Sequence, residues 1–182
     1  MFRHIVVGFV SAVAAFLTWV ALQPAAYSVA RQTVIQAPPE VIFPHVNSLR
    51  AWNAWSPWAK KDPAARVSYQ GPDSGVGAQF AWSGNREVGA GTMTIVTSDP
   101  ARRVGLKLDF TEPMVGTNDV ALELKPVDGG TNVTWSVRGE NGFLSRAIMT
   151  AIGIDLERMI GGEYEAGLAA LKRLVEGNNK NP

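Results

Sequence analysis

Apolar and polar positions divide this chain into three stretches with different rhythms. From Ile5 to Leu22, 18 consecutive positions carry no charge, and the only hydroxyls among them belong to Ser11 and Thr18. At ~1.5 Å per residue the run makes a helix of about 27 Å, close to a hydrocarbon core of about 30 Å. Arg3 and His4 precede it, Trp19 falls near its far end where an indole suits the lipid–water interface, and Pro24 closes it. The pattern predicts one N-terminal transmembrane helix. A cleaved secretory signal is the competing reading, with Ser28-Val29-Ala30 as its cleavage site, but the apolar region of such signals usually spans about 7–15 residues. The longer run here favours an uncleaved signal-anchor. Positive-inside bias then leaves the short amino end in the cytoplasm and the domain on the extracytoplasmic (periplasmic) side of a single-pass membrane protein. Cleavage would instead release the domain, secreted or periplasmic.

After a short connector, Val29 to Gln36 alternates as a strand. Ala37-Pro38-Pro39-Glu40 opens a helix, because proline is tolerated in the first turn and Glu40 faces the positive end of the dipole. Val41, Phe43, Val46, Leu49, Trp52 and Trp55 continue at roughly helical spacing until Ser56-Pro57-Trp58. From there to residue 139 the period is two, with Ala78, Phe80 and Trp82, then Leu106, Leu108 and Phe110, then Val133, Trp135 and Val137 sharing faces. Phe143 to about Glu176 returns to helical spacing, as the longest such pattern outside the anchor. Gly153, Gly161, Gly162 and Gly167 are out of place in a helix, each costing about 1 kcal/mol against alanine, and imply a close approach or a bend. The order is one strand, short helices, about six meandering strands and one long helix. It predicts an α+β domain whose long helix covers the apolar face of an antiparallel sheet. The predicted divisions are an anchor and connector over 1–28, the domain over 29–176 and a disordered tail over 177–182.

Charge narrows the function. The chain holds 17 basic and 16 acidic residues, and the excess one is Arg3, so the part beyond the anchor is neutral. Lys60-Lys61 and Arg102-Arg103 are isolated pairs, which leaves nucleic-acid binding without an electrostatic footing. The absence of cysteine excludes disulfides, thiolate catalysis and cysteine-ligated metal. With His4 beside the membrane, a metal site or a serine–histidine relay would rest almost wholly on His45. Gly75-x-Gly77 and Gly89-x-Gly91 lead into strands rather than helices, so neither builds a nucleotide-binding turn.

Particular residues sharpen the order of elements: Ile35-x-Ala37-Pro38-Pro39-Glu40-x-Ile42-Phe43, Trp52-x-x-Trp55-Ser56-Pro57-Trp58, Gly75-Val76-Gly77-Ala78, Trp82-Ser83-Gly84-Asn85, Thr131-x-Val133-Thr134-Trp135 and Gly167-Leu168-x-x-Leu171-Lys172. Together, over residues 29–176, they resemble the SRPBCC or START-like superfamily, which includes polyketide cyclase-like and pollen-allergen-like proteins. The resemblance implies a helix-grip fold, a curved antiparallel β-sheet wrapped around a long C-terminal α-helix, with a deep and largely apolar cavity between them. Relatives bind lipids, sterols, polyketides, quinones or plant hormones, and some cyclise or dehydrate polyketides. The superfamily shares no catalytic residue, so the resemblance carries no catalytic position over to this chain.

The inward phase of the strands and of the tail helix supplies the candidate ligand-binding residues: Phe80, Trp82, Met93, Phe110, Trp135, Met149 and Tyr164. Aromatic rings and flexible thioethers suit an adaptable apolar pocket, and Tyr164 adds a polar handle. The same residues equally suit an ordinary core. Trp52, Trp55 and Trp58 either plug the sheet against the tail helix or form a lip resting on a bilayer. Asp109 and Glu123 fall on the opposite phase from their apolar neighbours, and Glu87 and Glu112 sit at loop ends. There Glu87 and Glu112 could line a cavity mouth, with Arg86 and Arg138 as partners. The pattern singles out no pair for acid–base catalysis, which requires two titratable groups within reach of one substrate atom. The expected function is membrane-tethered binding of a small hydrophobic ligand (a lipid, a quinone or an aromatic, polyketide-like molecule) in a cavity between the sheet and the C-terminal helix, with no cofactor, metal or nucleic-acid partner. A polyketide cyclase- or dehydratase-like enzyme and a partner-binding module with a filled core are the rival readings.

Overall fold

A computed structural model describes residues 2–178. Helix α1 (Phe2–Leu22) is long and apolar enough to cross a membrane or to act as a signal sequence. Among its residues Val20 is buried, where the helix reaches the domain. Strand β1 (Ala26–Ile35) begins after Gln23, Pro24 and Ala25 alone. The connector expected to extend to residue 28 is therefore shorter, because Ala26, Tyr27 and Ser28 already pair with Glu140, Gly139 and Arg138.

Strands β2 (Arg66–Gln70), β3 (Gln79–Ser83), β4 (Ala90–Asp99), β5 (Arg103–Glu112), β6 (Gly116–Val127) and β7 (Gly130–Glu140) complete one seven-stranded sheet in the order β1-β7-β6-β5-β4-β3-β2. Every neighbouring pair is antiparallel. Five consecutive hairpin connections take the chain across the sheet, and β1 then lies beside the last strand. A shift in register between Ile95 and Thr97 of β4 marks a bulge, which bends a strand and curves the sheet.

Helix α2 (Pro39–Asn47) starts at Pro38, whose extended backbone suits an N-cap. The helical spacing expected to run on through Trp55 stops at Ser48, and two single 3-10 turns follow at 51–54 and 57–60. The reason lies in the indoles. Trp52 Nε1 donates to the Val46 carbonyl at 2.9 Å and Trp55 Nε1 to the His45 carbonyl at 3.0 Å. These are among the last carbonyls of α2, which have no partner inside the helix. The chain folds back beneath the helix end to supply them.

The tail, expected as one helix, is two: α3 (Phe143–Ala151) and α4 (Leu156–Asn178). Gly153 breaks them with φ +70, a left-handed conformation that glycine adopts at little cost. Asp155 then caps α4, its carboxylate accepting the Arg158 N–H at 3.0 Å. Helix α4 lies along β1 and reaches β7, α2 and the 57–60 turn. A Cβ on Gly167 would stand 2.7 Å from the Trp135 ring and 3.0 Å from Pro57, and one on Gly161 would strike the Arg31 guanidinium. Close approach thus accounts for two of the helical glycines, and a bend for Gly153. The part of the expected tail at 179–182 lies outside the described residues.

Partial burial lowers the pKa of His45 below its ordinary 6.5, because the protonated ring loses hydration. The unfolded chain therefore takes up the proton first as pH falls, and stability declines on going below about 6.5. Thermal melts between pH 8 and pH 5 are expected to show this decline, and His45→Gln to flatten it. Solvent at this half-buried site keeps the slope under the one-proton limit of about 1.4 kcal/mol per pH unit.

Candidate functional site

The concave face of the sheet divides into a filled half and an open half. In the filled half Trp135 is 1% exposed and stacks on Tyr164 of α4, ring centroids 4.0 Å apart and planes within 5°. Trp52, Trp55 and Trp58 meet the same indole edge-on at 5.5, 5.1 and 5.8 Å. Leu168, Leu171 and Val175 of α4 and Val133, Val137 and Leu122 of the sheet close around them. The three tryptophans of the 3-10 turns therefore plug the sheet against α4 and form no lip on a bilayer. Trp135 Nε1 is buried without an acceptor among the described residues.

The open half lies over β2 to β5, away from the line of α4. Phe80 stacks on Trp82 at 5.8 Å and 14°, Phe110 meets Trp82 edge-on at 5.7 Å, and Tyr69 tilts against Phe80 at 5.2 Å. Met93 and Leu108 lie with Phe80 in one row of cross-strand partners, and all six side chains are half-buried. Gly91 makes the arrangement possible, since a Cβ there would stand 2.7 Å from the Trp82 ring. Trp82 Nε1 donates to the Val88 carbonyl at 2.9 Å, which fixes the ring's orientation. The result is an aromatic trough.

Register extends the trough into a single row. Tyr69, Phe80, Met93, Leu108, Asn118, Gly139 and Tyr27 are successive cross-strand partners from β2 to β1. The row is aromatic and thioether at one end and polar at the other, where the Tyr27 hydroxyl donates to Asn118 Oδ1 at 2.8 Å. Gly139 leaves room for that pair, because a Cβ there would overlap Asn118 and touch the Tyr27 ring at 3.0 Å. Burial raises the pKa of Tyr164, with a smaller contribution from Tyr27, and burial likewise raises Tyr27. Both phenols stay neutral at physiological pH, and that of Tyr27 donates its hydrogen bond in this form.

Lys61 clamps the walls together. Its ammonium sits 2.7 Å from Glu163 of α4 and 3.0 Å from Glu87 in the β3–β4 turn, and the Glu163 hydrogen bond is the main cause of its raised pKa. Arg31 similarly joins β1 to Glu157 and Glu165 of α4. Asp109 faces outward and accepts from Thr117, matching its strand phase. Among the described residues no group of three or more His, Cys, Asp and Glu side chains could hold a metal ion. An open groove of about 590 Å³ lies at the polar end of the row, where Tyr27 and Gly139 line it together with Asp119, Arg138 and Glu140.

Of the seven residues read from the sequence, the fold gathers Phe80, Trp82, Met93 and Phe110 in the trough. Trp135 and Tyr164 sit in the indole cluster beside it, and Met149 is on α3, half-buried. Leu108, on the inward face read from the strand alternation, joins the four in the trough, whereas Tyr27, Asn118 and Tyr69 were missed as site residues. Asn118 shares the phase of Val120, Leu122 and Leu124, so extending that alternation by one step would have found it. Tyr27 had no such signal, because it fell in the expected connector.

A seven-stranded curved sheet, an α4 helix laid across it and an inward aromatic face make a distinctive combination. The family described as polyketide cyclase / dehydrase and lipid transport matches residues 26–176. The chain belongs to that family, within the SRPBCC superfamily. Among curated proteins, none matches the chain. Solved structures share the helix-grip fold at low identity. A protein from Nitrosospira multiformis is 19% identical with a TM-score of 0.60, covering 85% of this chain and 100% of its own. A protein from Chromobacterium violaceum is 17% identical with a TM-score of 0.58, covering 82% and 96%. DynU16, from the dynemicin biosynthetic locus, is 14% identical with a TM-score of 0.53, covering 82% of this chain and 47% of its own. The match starting at residue 26 coincides with the first residue of β1.

Proposed function

We propose that the chain is a membrane-tethered binding protein for a small, neutral, hydrophobic molecule such as a lipid, a quinone or a polyketide-like aromatic. The observation that carries this reading is the half-open row from Tyr69 to Tyr27, apolar along most of its length and ended by a neutral hydrogen-bonding pair. Apolar surface leaving water for the trough supplies about 25 cal/mol per Å², while Asn118 and Tyr27 orient a hydroxyl or carbonyl. Cyclase or dehydratase chemistry, suggested by the family description and by DynU16, is the second reading. It would need groups that exchange protons, whereas the polar end of this row is an amide and the Tyr27 phenol, which burial keeps neutral.

The tether reading is supported by where cleavage would fall. Cutting after Ala30 would remove Ala26 to Ala30 from β1, and with them five pairings to β7, the buried Val29 and the Tyr27–Asn118 bond. The fold needs those residues. Arg3 then keeps the short amino end in the cytoplasm and the domain on the extracytoplasmic side.

Native mass spectrometry of the full chain extracted from its own membranes tests both parts. The expected result is a chain that retains α1 and carries an additional apolar molecule. A mature chain beginning at Arg31 overturns the tether. A chain with no bound molecule that also fails to take up a fluorescent apolar probe overturns the binding reading.

A further inference from the structure

The two ends of the sheet differ. Ala26 pairs with Glu140, and Ala90 with Glu112, at the end that carries the β3–β4 and β5–β6 turns and the link from β7 into α3. Helix α1 joins at this same end, and the three residues between Leu22 and Ala26 span at most about 10 Å. The connector has no slack. The Ala25 carbonyl accepts the Asn141 N–H at 2.9 Å, the Gln23 carbonyl accepts from the Arg146 guanidinium, and α3 packs against α1. A bilayer around α1 holds this end of the domain at its headgroup layer, which is about 5–8 Å thick on each side.

Part of this end, on α3 and the β5–β6 loop, is apolar. Leu144 of α3 is 70% exposed and Val115 of the β5–β6 loop 88%, and Phe143, Ile148, Ile152 and Met114 are exposed around them. Helix and loop form one surface, with the Ser145 hydroxyl 3.3 Å from the Met114 sulfur. Exposed apolar side chains gathered in one patch mark an interaction site. The patch is continuous with the lipid-facing side of α1, and that continuity identifies its occupant. Arg146 is the single basic residue of α3, so burial of apolar side chains rather than attraction to anionic headgroups would hold the patch in place.

We infer that α3 and the β5–β6 loop form a docking edge that lies in the interfacial layer of the bilayer and opens the trough to it. Phe110 pairs with Gly116, the first residue after that loop, and Trp82 pairs with Gly91 in the same row, so the aromatic wall begins directly behind the edge. An apolar molecule passes from the acyl layer to the trough along this edge without crossing water. The inference rests on the tether reading of α1, and its test separates the two.

The chain contains no cysteine, so single cysteines carry a nitroxide label cleanly. The full chain, placed in phosphatidylcholine discs, is labelled at Leu144→Cys, Val115→Cys, Val127→Cys at the opposite end of the sheet, and Val13→Cys within α1. All four positions are exposed, so the core is untouched. Collision with oxygen relative to a water-soluble nickel chelate is expected to be several-fold higher at 144 and 115 than at 127, and to be unchanged by salt. Labels at 144 and 115 that match 127, with the label at 13 in lipid, overturn the docking edge and leave the tether standing. A label at 13 in water overturns both. Dipolar broadening between two copies labelled at 144 would make the patch a self-association surface and overturn the inference as well.

Discussion

Trp135→Ala is expected to destabilise the domain by about 3–5 kcal/mol, the usual cost of deleting a fully buried large aromatic ring. The ring touches Trp52, Trp55, Trp58 and Tyr164 at centroid distances between 4.0 and 5.8 Å. Its removal leaves four aromatic neighbours without a partner on one side. Two of them hold the end of α2 through their indole nitrogens, so the void cannot collapse without disturbing that helix. For a domain of about 150 residues this amounts to a fall in Tm of roughly 10 °C or more, read by circular dichroism or calorimetry. Trp135→Phe is expected to cost much less. It keeps most of the ring contact and removes an N–H that has no acceptor among the described residues. A Trp135→Ala domain that melts within two or three degrees of the parent would show that the cluster is not the core of this fold.

Trp82→Ala should produce the opposite pattern, a small change in stability and a large one in binding. The ring is half-buried, lies in the trough and is held by one hydrogen bond to Val88. A ligand covering about 60 Å² of it would lose about 1.5 kcal/mol at ~25 cal/mol per Å², or roughly tenfold in affinity for an apolar fluorescent probe. Substitution of exposed Val127, at the far end of the sheet, should leave probe binding unchanged. Equal probe affinity in the parent and in a folded Trp82→Ala protein would remove the trough as the binding site. The two tryptophans thus separate core from site by experiment, although each sits on an inward position of a strand with the same period.

That contrast shows how far the pattern of residues reaches. Alternation placed Phe80, Trp82, Phe110 and Trp135 on one face of the sheet correctly, because successive strand side chains must point to opposite sides. It gave the count of strands and their antiparallel order, since short connections leave little choice. The single long tail helix did not survive. Helical spacing persists through Ile152, but one left-handed glycine turns the chain, and spacing alone does not record a change of direction. The indole hydrogen bonds that end α2 were equally invisible, because they depend on the chain folding back on itself.

The leading apolar run, the electrical neutrality of the domain and the inward face of each strand are properties of composition and local period, and the amino-acid order is sufficient to specify them. Where α4 crosses the sheet is not a local property. It lies along β1 because Gly161 and Gly167 admit Arg31 and Trp135, and that placement covers one half of the aromatic face and leaves the other half open. The same long-range packing brings the end of α1, helix α3 and the β5–β6 loop to one end of the domain. Contacts between residues more than 100 positions apart, such as the Gln23 carbonyl with Arg146, set which end of the domain meets α1.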